Sequence, residues 1–436
     1  MPLRSNSLVY AALAFSLVAG FAGAETIRFA TFNASLNRSN QGDLRADLET
    51  GTNAQLEAVA EIIQRVNPDV LLINEFDYDP GTTDLFIKNY LNQQQNPSVA
   101  PVDYQYSFTA PSNTGVASGF DLDNSGAAGD FAPGDAQGFG FFEGQFGMTV
   151  ISKYEIDESA ARTFQNFLWK DMPGARLPED PLDVDGNGDT TSWYTADELD
   201  VLRLSSKSHW DVPIKIDGET VHFIVAHPTP PVFDGPEDRN GTRNADEIRF
   251  IADYVNGAGY IYDDDGNVGG LAPNSRFVIA GDMNSDPFDG DSLPGAAQQL
   301  VDDPLIDTSI TPSSQGGVTA AQLQAGANEA HLGNPAFDTA DFGFAGFADG
   351  VPNPDVEPGN LRVDYVLPSN TGLNLVDAGV FWQEPGEDPF PLAEFPTSDH
   401  RLVWVEVTVE PIPVPASLPL LVVGLAGFAV IRRKRV

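Results

Sequence analysis

From Thr26 the run TIRFATFN alternates apolar and polar side chains, the period of a half-buried strand, and it stops at Asn33. AQLEAVAEIIQRV then sets Leu56, Val59, Ile62, Ile63 and Val66 on one helical face, and Asn67-Pro68 halts it. DVLLINEF follows, a nearly unbroken apolar run of the kind that fills a sheet covered on both faces, ending at Glu75. YQYSFTA, FGMTVISKYEI, VPIKIDGETVHFIVAH, SRFVIAG, LRVDYVLPS and HRLVWVEVTV predict further strands, with Asp217-Gly218 as a hairpin turn inside the third. NADEIRFIADYV predicts an amphipathic helix through Ile248, Ile251 and Val255. Strands outnumber helices and several pair as hairpins. The pattern therefore predicts an α/β chain with mixed sheets, a two-sheet sandwich with helices outside.

Polar, glycine-rich stretches separate these runs: SNTGVASGFDLDNSGAAGDFAPGDAQG, PEDPLDVDGNGDTTSW and SQGGVTAAQLQAGANEAHLGNP. Strand patterns of one character resume after each, so they read as surface insertions in a single domain spanning 25–409. In GFGFFEGQFG, the cluster Phe139, Phe141, Phe142 and Phe146 is expected in core packing, with base stacking or lipid contact as the alternatives.

Composition changes the picture at the ends. Residues 1–24 carry Arg4, an apolar run from Leu8 to Phe21 and Ala22-Gly23-Ala24, the layout of a cleaved secretory signal peptide. In the tail, 410–436, PIPVPASLPLLVVGLAGFAVIRRKRV joins a proline-rich spacer to an apolar stretch and a basic cluster, which reads as a stop-transfer flank. It resembles PEP-CTERM/VPLPA-type sorting tails, with VPVPA where VPLPA is usual. That resemblance implies a sorting protease and handover to the envelope or an extracellular matrix, with simple anchoring as the alternative. An exported monomer is expected. The full chain has a formal net charge of −40, and neither 1–24 nor 411–436 contains an acidic residue, so the body is more acidic still. Such a surface argues against a nucleic-acid coat protein but not against a nuclease with a local metal site. The absence of cysteine excludes disulfides, thiolate nucleophiles and zinc–cysteine sites.

The chemistry sits at strand boundaries. Asn33, Glu75, His227, Asp282 with Asn284, and Asp399 with His400 each end or begin an apolar run, and Asp364 lies within one. If the sheets bring these ends to one edge, carboxylates and carboxamides converge in a hard-oxygen site suited to Mg²⁺, Mn²⁺ or Ca²⁺.

Seven of these pieces in order, TFN, NEF, GMTVISKYEI, FIVAHPTPP, VIAGDMNSDP, VDYVLPS and TSDHRLVWVEV, resemble the endonuclease/exonuclease/phosphatase superfamily of deoxyribonucleases, abasic-site endonucleases, inositol polyphosphate phosphatases and bacterial sphingomyelinases. The resemblance implies a four-layer α/β sandwich, two mixed β-sheets flanked by helices, and metal-dependent hydrolysis of a phosphodiester. A nuclease-type substrate is expected, nucleic acid included. A phosphatase, a lipid phosphodiesterase and a non-catalytic matrix protein of the same fold are the alternatives. It implies Glu75 as principal metal carboxylate, assisted by Asn33, with Asp399 as a further ligand, and Mg²⁺ or Mn²⁺ as cofactor. Asp282 would orient or deprotonate water, Asn284 hold the phosphate, and His400, paired with Asp399 and supported by Asp364, contact phosphate or handle a proton. His227 matches a second histidine whose glutamate partner would be Glu143 or, imperfectly, Gln145.

The other histidines have plainer readings: His222 on a solvent face, His209 and His331 structural. Arg239 and Arg243 would reach phosphate or bridge to acidic neighbours. DLDNSGAAGD (Asp121, Asp123, Asn124, Asp130) and DVDGNGD (Asp183, Asp185, Asn187, Asp189) resemble calcium loops lacking the terminal glutamate. Each would hold a structural Ca²⁺ or be a solvated turn. YDDDGNVGG reads as a turn.

Overall fold

The alternating run that opens the chain forms β1 (Thr26–Asn33), and its inward residues Ile27 and Phe29 enter a core between two sheets. The computed structural model describes residues 26–410 apart from 130, 185–189, 344–357, 390, 391, 393 and 395. The signal segment, residues 411–436 of the tail and most of the second acidic loop lie outside these. Among the described residues no helix is long and apolar enough to cross a membrane.

Two helices follow β1: α1 (Asp43–Thr50) and α2 (Ala54–Val66). The Asn53 side chain accepts from the N–H groups of Gln55 and Leu56, capping α2, and Asn67 closes it in the left-handed conformation at φ 52°. Strand β2 (Val70–Asn74) is buried throughout. It pairs in parallel with β1, Asn33 opposite Asn74. Next come α3 (Thr82–Phe86), β3 (Tyr106–Phe108) and β4 (Met148–Ser152). FGMTVISKYEI is not one strand. After Ser152 the chain crosses to the other sheet as β5 (Glu155–Ile156), joined there by β6 (Arg162–Thr163).

The predicted hairpin is β7 (His209–Ile216) and β8 (Glu219–Ala226). Asp217 and Gly218 both have positive φ, 52° and 87°, which suits a two-residue turn between twisted strands. Helix α4 (Arg239–Val255) begins five residues before the predicted periodic segment and covers the outer face of this sheet. Strand β9 (Arg276–Asp282) pairs in parallel with β8. The stretch read as a polar insertion contains α5 (Gln315–Gln324). The α5 backbone at Gly316 and Gly317 lies so close to Trp382 and Pro335 that a Cβ at Gly316 would meet the Trp382 carbonyl oxygen at 2.3 Å. The chain closes with β10 (Asp364–Pro368), β11 (Leu373–Val380) and β12 (Val403–Val409).

One sheet runs β11-β12-β1-β2-β4-β3, the other β10-β9-β8-β7-β5 with β6 beside β7. Phe29, Val70, Leu72, Val212, Phe223, Val278, Val366 and Val405 fill the space between them. A second core lies under α2 and α3, a third under α4, so the order is helix, sheet, sheet, helix as expected. One consequence corrects the reading of His222. Alternation puts it on the outer face of β8, but α4 covers that face. Its Nδ1 lies 2.9 Å from both carboxylate oxygens of buried Asp211, which also accepts from the Tyr254 hydroxyl of α4.

Candidate active site

Strand direction explains why distant residues meet. β1 and β2 are parallel, so Asn33 and Glu75 leave the first sheet at one edge. β8 and β9 are parallel in the second sheet, so His227 and Asp282 leave at one edge as well. β10 runs antiparallel to β9 with Asp364 directly opposite Asp282. β12 runs antiparallel to β1, so His400, which precedes it, returns to the same rim. Because β1 packs across β9 and β10, the two edges coincide.

The convergence centres on one oxygen. Asp282 Oδ2 accepts from Asn33 Nδ2 at 3.0 Å, and lies 3.3 Å from His227 Nε2 and 3.7 Å from His400 Nε2. Burial alone would raise the Asp282 carboxyl. The charge of His400, His227 and the Asn33 amide outweigh it and hold the group well below the usual carboxylate range. Asp282 is thus an ionised carboxylate inside the protein. His400 Nδ1 lies 2.9 Å from Asp364 Oδ2, which also accepts from the Thr339 hydroxyl. Burial opposes the charged imidazole, but Asp364 and Asp282 prevail and raise it well above the ordinary histidine value. Asp364 itself is pushed upward by burial, against the pull of His400.

Glu75 stands beside this group. Its Oε1 accepts from Asn33 Nδ2 at 3.2 Å and its Oε2 from Asn37 Nδ2 at 2.7 Å. Its backbone is left-handed at φ 58°, a conformation a glutamate adopts only when its surroundings impose it. Among the described residues no lysine or arginine forms an ion pair with Glu75 or Asp282. The donors here are oxygen-rich and Glu75 has no ion-pair partner among the described residues, which fits a hard divalent cation. Asp282, Asp364 and His400 also offer ligand atoms within 4.8 Å of one another, but the imidazole there is already engaged by Asp364.

The remaining expected residues divide. Asn284, also left-handed at φ 51°, donates from Nδ2 to the Pro228 carbonyl at 3.1 Å, while its N–H bonds Asp282 Oδ1. Asp399 adjoins the group through Ser35, whose hydroxyl donates to Asp399 Oδ1 at 3.2 Å. Ser398, not Asp399, fixes the approach of His400: its hydroxyl donates to the Asn33 carbonyl and accepts from the His400 N–H. Neither candidate partner reaches His227. The Gln145 amide is spent within its own loop and on the Arg38 carbonyl, Glu143 lies exposed on the surface, and His227 Nδ1 is buried without a partner among the described residues. Burial first, then the neighbouring Lys207 ammonium, push the His227 imidazole toward its neutral form. Arg243 is a structural residue bonded to the carbonyls of Leu204, Gln137 and Arg203, and Arg239 pairs with Glu237. His209 is structural as expected, with Nε2 at 3.1 Å from the Glu247 carbonyl.

Sequence reading missed Asn37, Ser35, Lys207 and Glu247. The first two lie in a loop without periodicity, and a lone lysine or glutamate carries no sign that it will be buried. The aromatic cluster is also corrected. Phe139 and Phe141 are 51% and 65% exposed and meet edge to face, and Phe139 also packs at a tilt against Phe131. In the first acidic loop, carboxylate oxygens of Asp121, Asp123 and Asp135 lie within 4.8 Å of one another. Asn124 turns away to the Trp193 carbonyl, and Asp130 is outside the described residues. The Asp263–Gly266 turn is closed by its own backbone, and Asp263 binds Arg162.

The family model described as "Endonuclease/Exonuclease/phosphatase family" matches residues 30–400. Among solved structures, an endonuclease/exonuclease/phosphatase from Beutenbergia cavernae is similar at 14% identity, over 89% of this chain and 73% of that one, with a TM-score of 0.43. Sphingomyelinase C from Streptomyces griseocarneus is similar at 14% identity, over 88% and 99%, with a TM-score of 0.44. A beta toxin variant from Staphylococcus aureus with bound magnesium ions is similar at 13% identity, over 88% and 100%, with a TM-score of 0.41. No curated protein matches.

Proposed function

Since it belongs to the endonuclease/exonuclease/phosphatase family, we propose that this chain hydrolyses phosphodiester bonds with the help of Mg²⁺ or Mn²⁺, in the manner of a nuclease. The observation that carries this reading is the single oxygen, Asp282 Oδ2, met by Asn33 from one sheet and His227 from the other, with His400 close by. An ionised, buried carboxylate beside an imidazolium is an acid–base pair whose members are held in opposite protonation states.

In this mechanism Asp282 orients a water and takes its proton as the water oxygen bonds to phosphorus and the opposite P–O bond breaks, its electron pair leaving with the departing oxygen, which takes a proton from solvent. His400, kept charged by Asp364, faces the negative charge that builds on the phosphoryl oxygens, and the Asn284 carboxamide holds one of them. Glu75 and Asn33, with Asp399 beyond Ser35, would hold the cation, which when bound supplies Lewis-acid stabilisation of that charge.

The test is turnover of plasmid DNA, RNA, a bis-aryl phosphate and phospholipid by the purified chain, with each metal or with chelator. Glu75→Gln and His400→Ala are each expected to lower kcat/KM by about 10²–10³-fold, Glu75→Gln at unchanged melting temperature and His400→Ala with a lowered one because Asp364 is left unpaired. Activity within about threefold of wild type in either variant removes the assignment. A second reading, a lipid phosphodiesterase, is favoured by the exposed Phe131, Phe139 and Phe141 cluster, and the phospholipid arm decides between the two. Export behind residues 1–24, with attachment through the tail, belongs to the same proposal, and the mass of the protein recovered from the envelope tests it. A structural Ca²⁺ at Asp121, Asp123 and Asp135 predicts that chelator lowers the melting temperature of Glu75→Gln as much as that of wild type.

A further inference from the structure

Lys207 is a buried cation that the mechanism above does not use. Its residue is 6% exposed, and the chain on either side of its ammonium is fixed. The Lys207 carbonyl accepts from Asn113 N–H at 2.8 Å, and Ser206 donates to Glu247 Oε1 through N–H at 2.7 Å and through its hydroxyl at 3.1 Å. The other Glu247 oxygen accepts from Thr229 N–H at 2.6 Å, two residues beyond His227. Glu247, fully buried on α4, therefore locks the segments that carry Lys207 and His227 against each other.

The ammonium itself is poorly matched. It has three donors, and the described structure gives it one long contact, the Pro228 carbonyl at 3.4 Å. That same carbonyl accepts from Asn284 Nδ2 at 3.1 Å, so the lysine head stands beside the carboxamide assigned to phosphate. Among the described residues no carboxylate lies within ion-pair distance of it, although Glu247, Glu75 and Asp282 all attract it. Burial pulls its proton affinity down and these three carboxylates resist. A buried ammonium with spare donors and no paired anion is costly unless something completes it.

We propose that Lys207 completes the site as an anion-binding residue, its Nζ donating to a non-bridging oxygen of the substrate phosphate next to Asn284. This inference deepens the phosphodiesterase reading and rests on it for the identity of the anion. It also accounts for His227, which burial and the nearby Lys207 cation turn toward the neutral form despite Asp282 Oδ2 at 3.3 Å from its Nε2. In this chain Lys207, not His227, supplies the positive charge on that side. Lys207 forms no covalent bond and moves no proton; it binds.

The experiment uses the whole chain, Lys207→Met and Lys207→Gln, with inorganic phosphate as probe. Calorimetric titration with magnesium present reads binding, and kcat and KM for a bis-aryl phosphate read catalysis. Both variants are expected to bind phosphate at least about tenfold more weakly and to lose about 10- to 100-fold in kcat/KM, while melting no lower than wild type. Unchanged phosphate affinity in the variants, or no phosphate binding by wild type, overturns the proposal. So does a melting temperature that falls in Lys207→Met and is restored by adding Glu247→Gln, because Lys207 would then be a counterion for Glu247. Loss of all phosphodiester turnover in wild type alongside intact, Lys207-dependent phosphate binding would sink the phosphodiesterase reading and leave the anion site standing.

Discussion

Asp364 makes its case at the scale of one residue. Its Oδ2 holds His400 Nδ1 at 2.9 Å, and both side chains are almost wholly shielded from water. The imidazole is raised well above its ordinary value, so folding takes up a proton in the range where the unfolded histidine has lost it. The sign follows: the stabilisation is complete below about pH 6.5 and fades as pH climbs through the folded value. Asp364→Asn keeps the shape and removes the charge. His400 should then titrate closer to its ordinary value in a nitrogen-detected NMR titration, and the alkaline fall in melting temperature should begin at lower pH. Removing one member of a buried pair costs about 3–5 kcal/mol, so the loss should be plain by calorimetry at neutral pH. If His400 titrates identically in both proteins, Asp282 alone sets its charge and Asp364 is only packing.

At the scale of elements, the site depends on how closely β8 and β9 run. A Cβ on Gly281 would meet the Ala226 carbonyl oxygen at 2.1 Å, just before His227 on one strand and Asp282 on the other. Gly281→Ala must therefore push these parallel strands apart where they deliver His227 and Asp282. We expect a loss of about 2–3 kcal/mol in stability, and a larger fractional loss of kcat than the stability change alone predicts. Wild-type kcat with a lowered melting temperature would mean that the strand ends tolerate the wedge. The same elements mark how far the sequence could be read. Asn33, Glu75, His227, Asp282 and His400 were legible because periodicity marks where a strand stops, and a polar residue at that point is visible locally. β11 was missed because its alternation is broken by a bulge between Leu375 and Asp377, leaving polar residues out of phase. α5 was missed because Gly316-Gly317 mimics a loop, although tight packing against Trp382 is what demands glycine there. His222 was misjudged because alternation separates two faces of a strand without saying which is covered by a helix.

At the scale of the whole molecule, charge separates the substrates that the site itself does not. The chain carries a formal −40, and Arg38, Arg45 and Arg239 are each committed to a carboxylate, Asp47, Asp79 and Glu237. A nuclease with a cationic groove releases counterions on binding and loses affinity as salt rises. This surface reverses the long-range contribution, because a polyanion must approach a protein of like sign. Raising ionic strength from about 20 mM to about 200 mM shortens the screening length from roughly 20 Å to under 10 Å and removes most of that repulsion. If DNA is a substrate, its kcat/KM should therefore rise several-fold over this range. Turnover of a small phosphodiester with a single charge should change far less, since a single charge feels little of the long-range field and Asp282 and His400 are buried. A kcat/KM for DNA that falls with salt would reveal a cationic path to the site that the paired arginines conceal, and the acidic body would then have no bearing on which phosphodiester is cleaved.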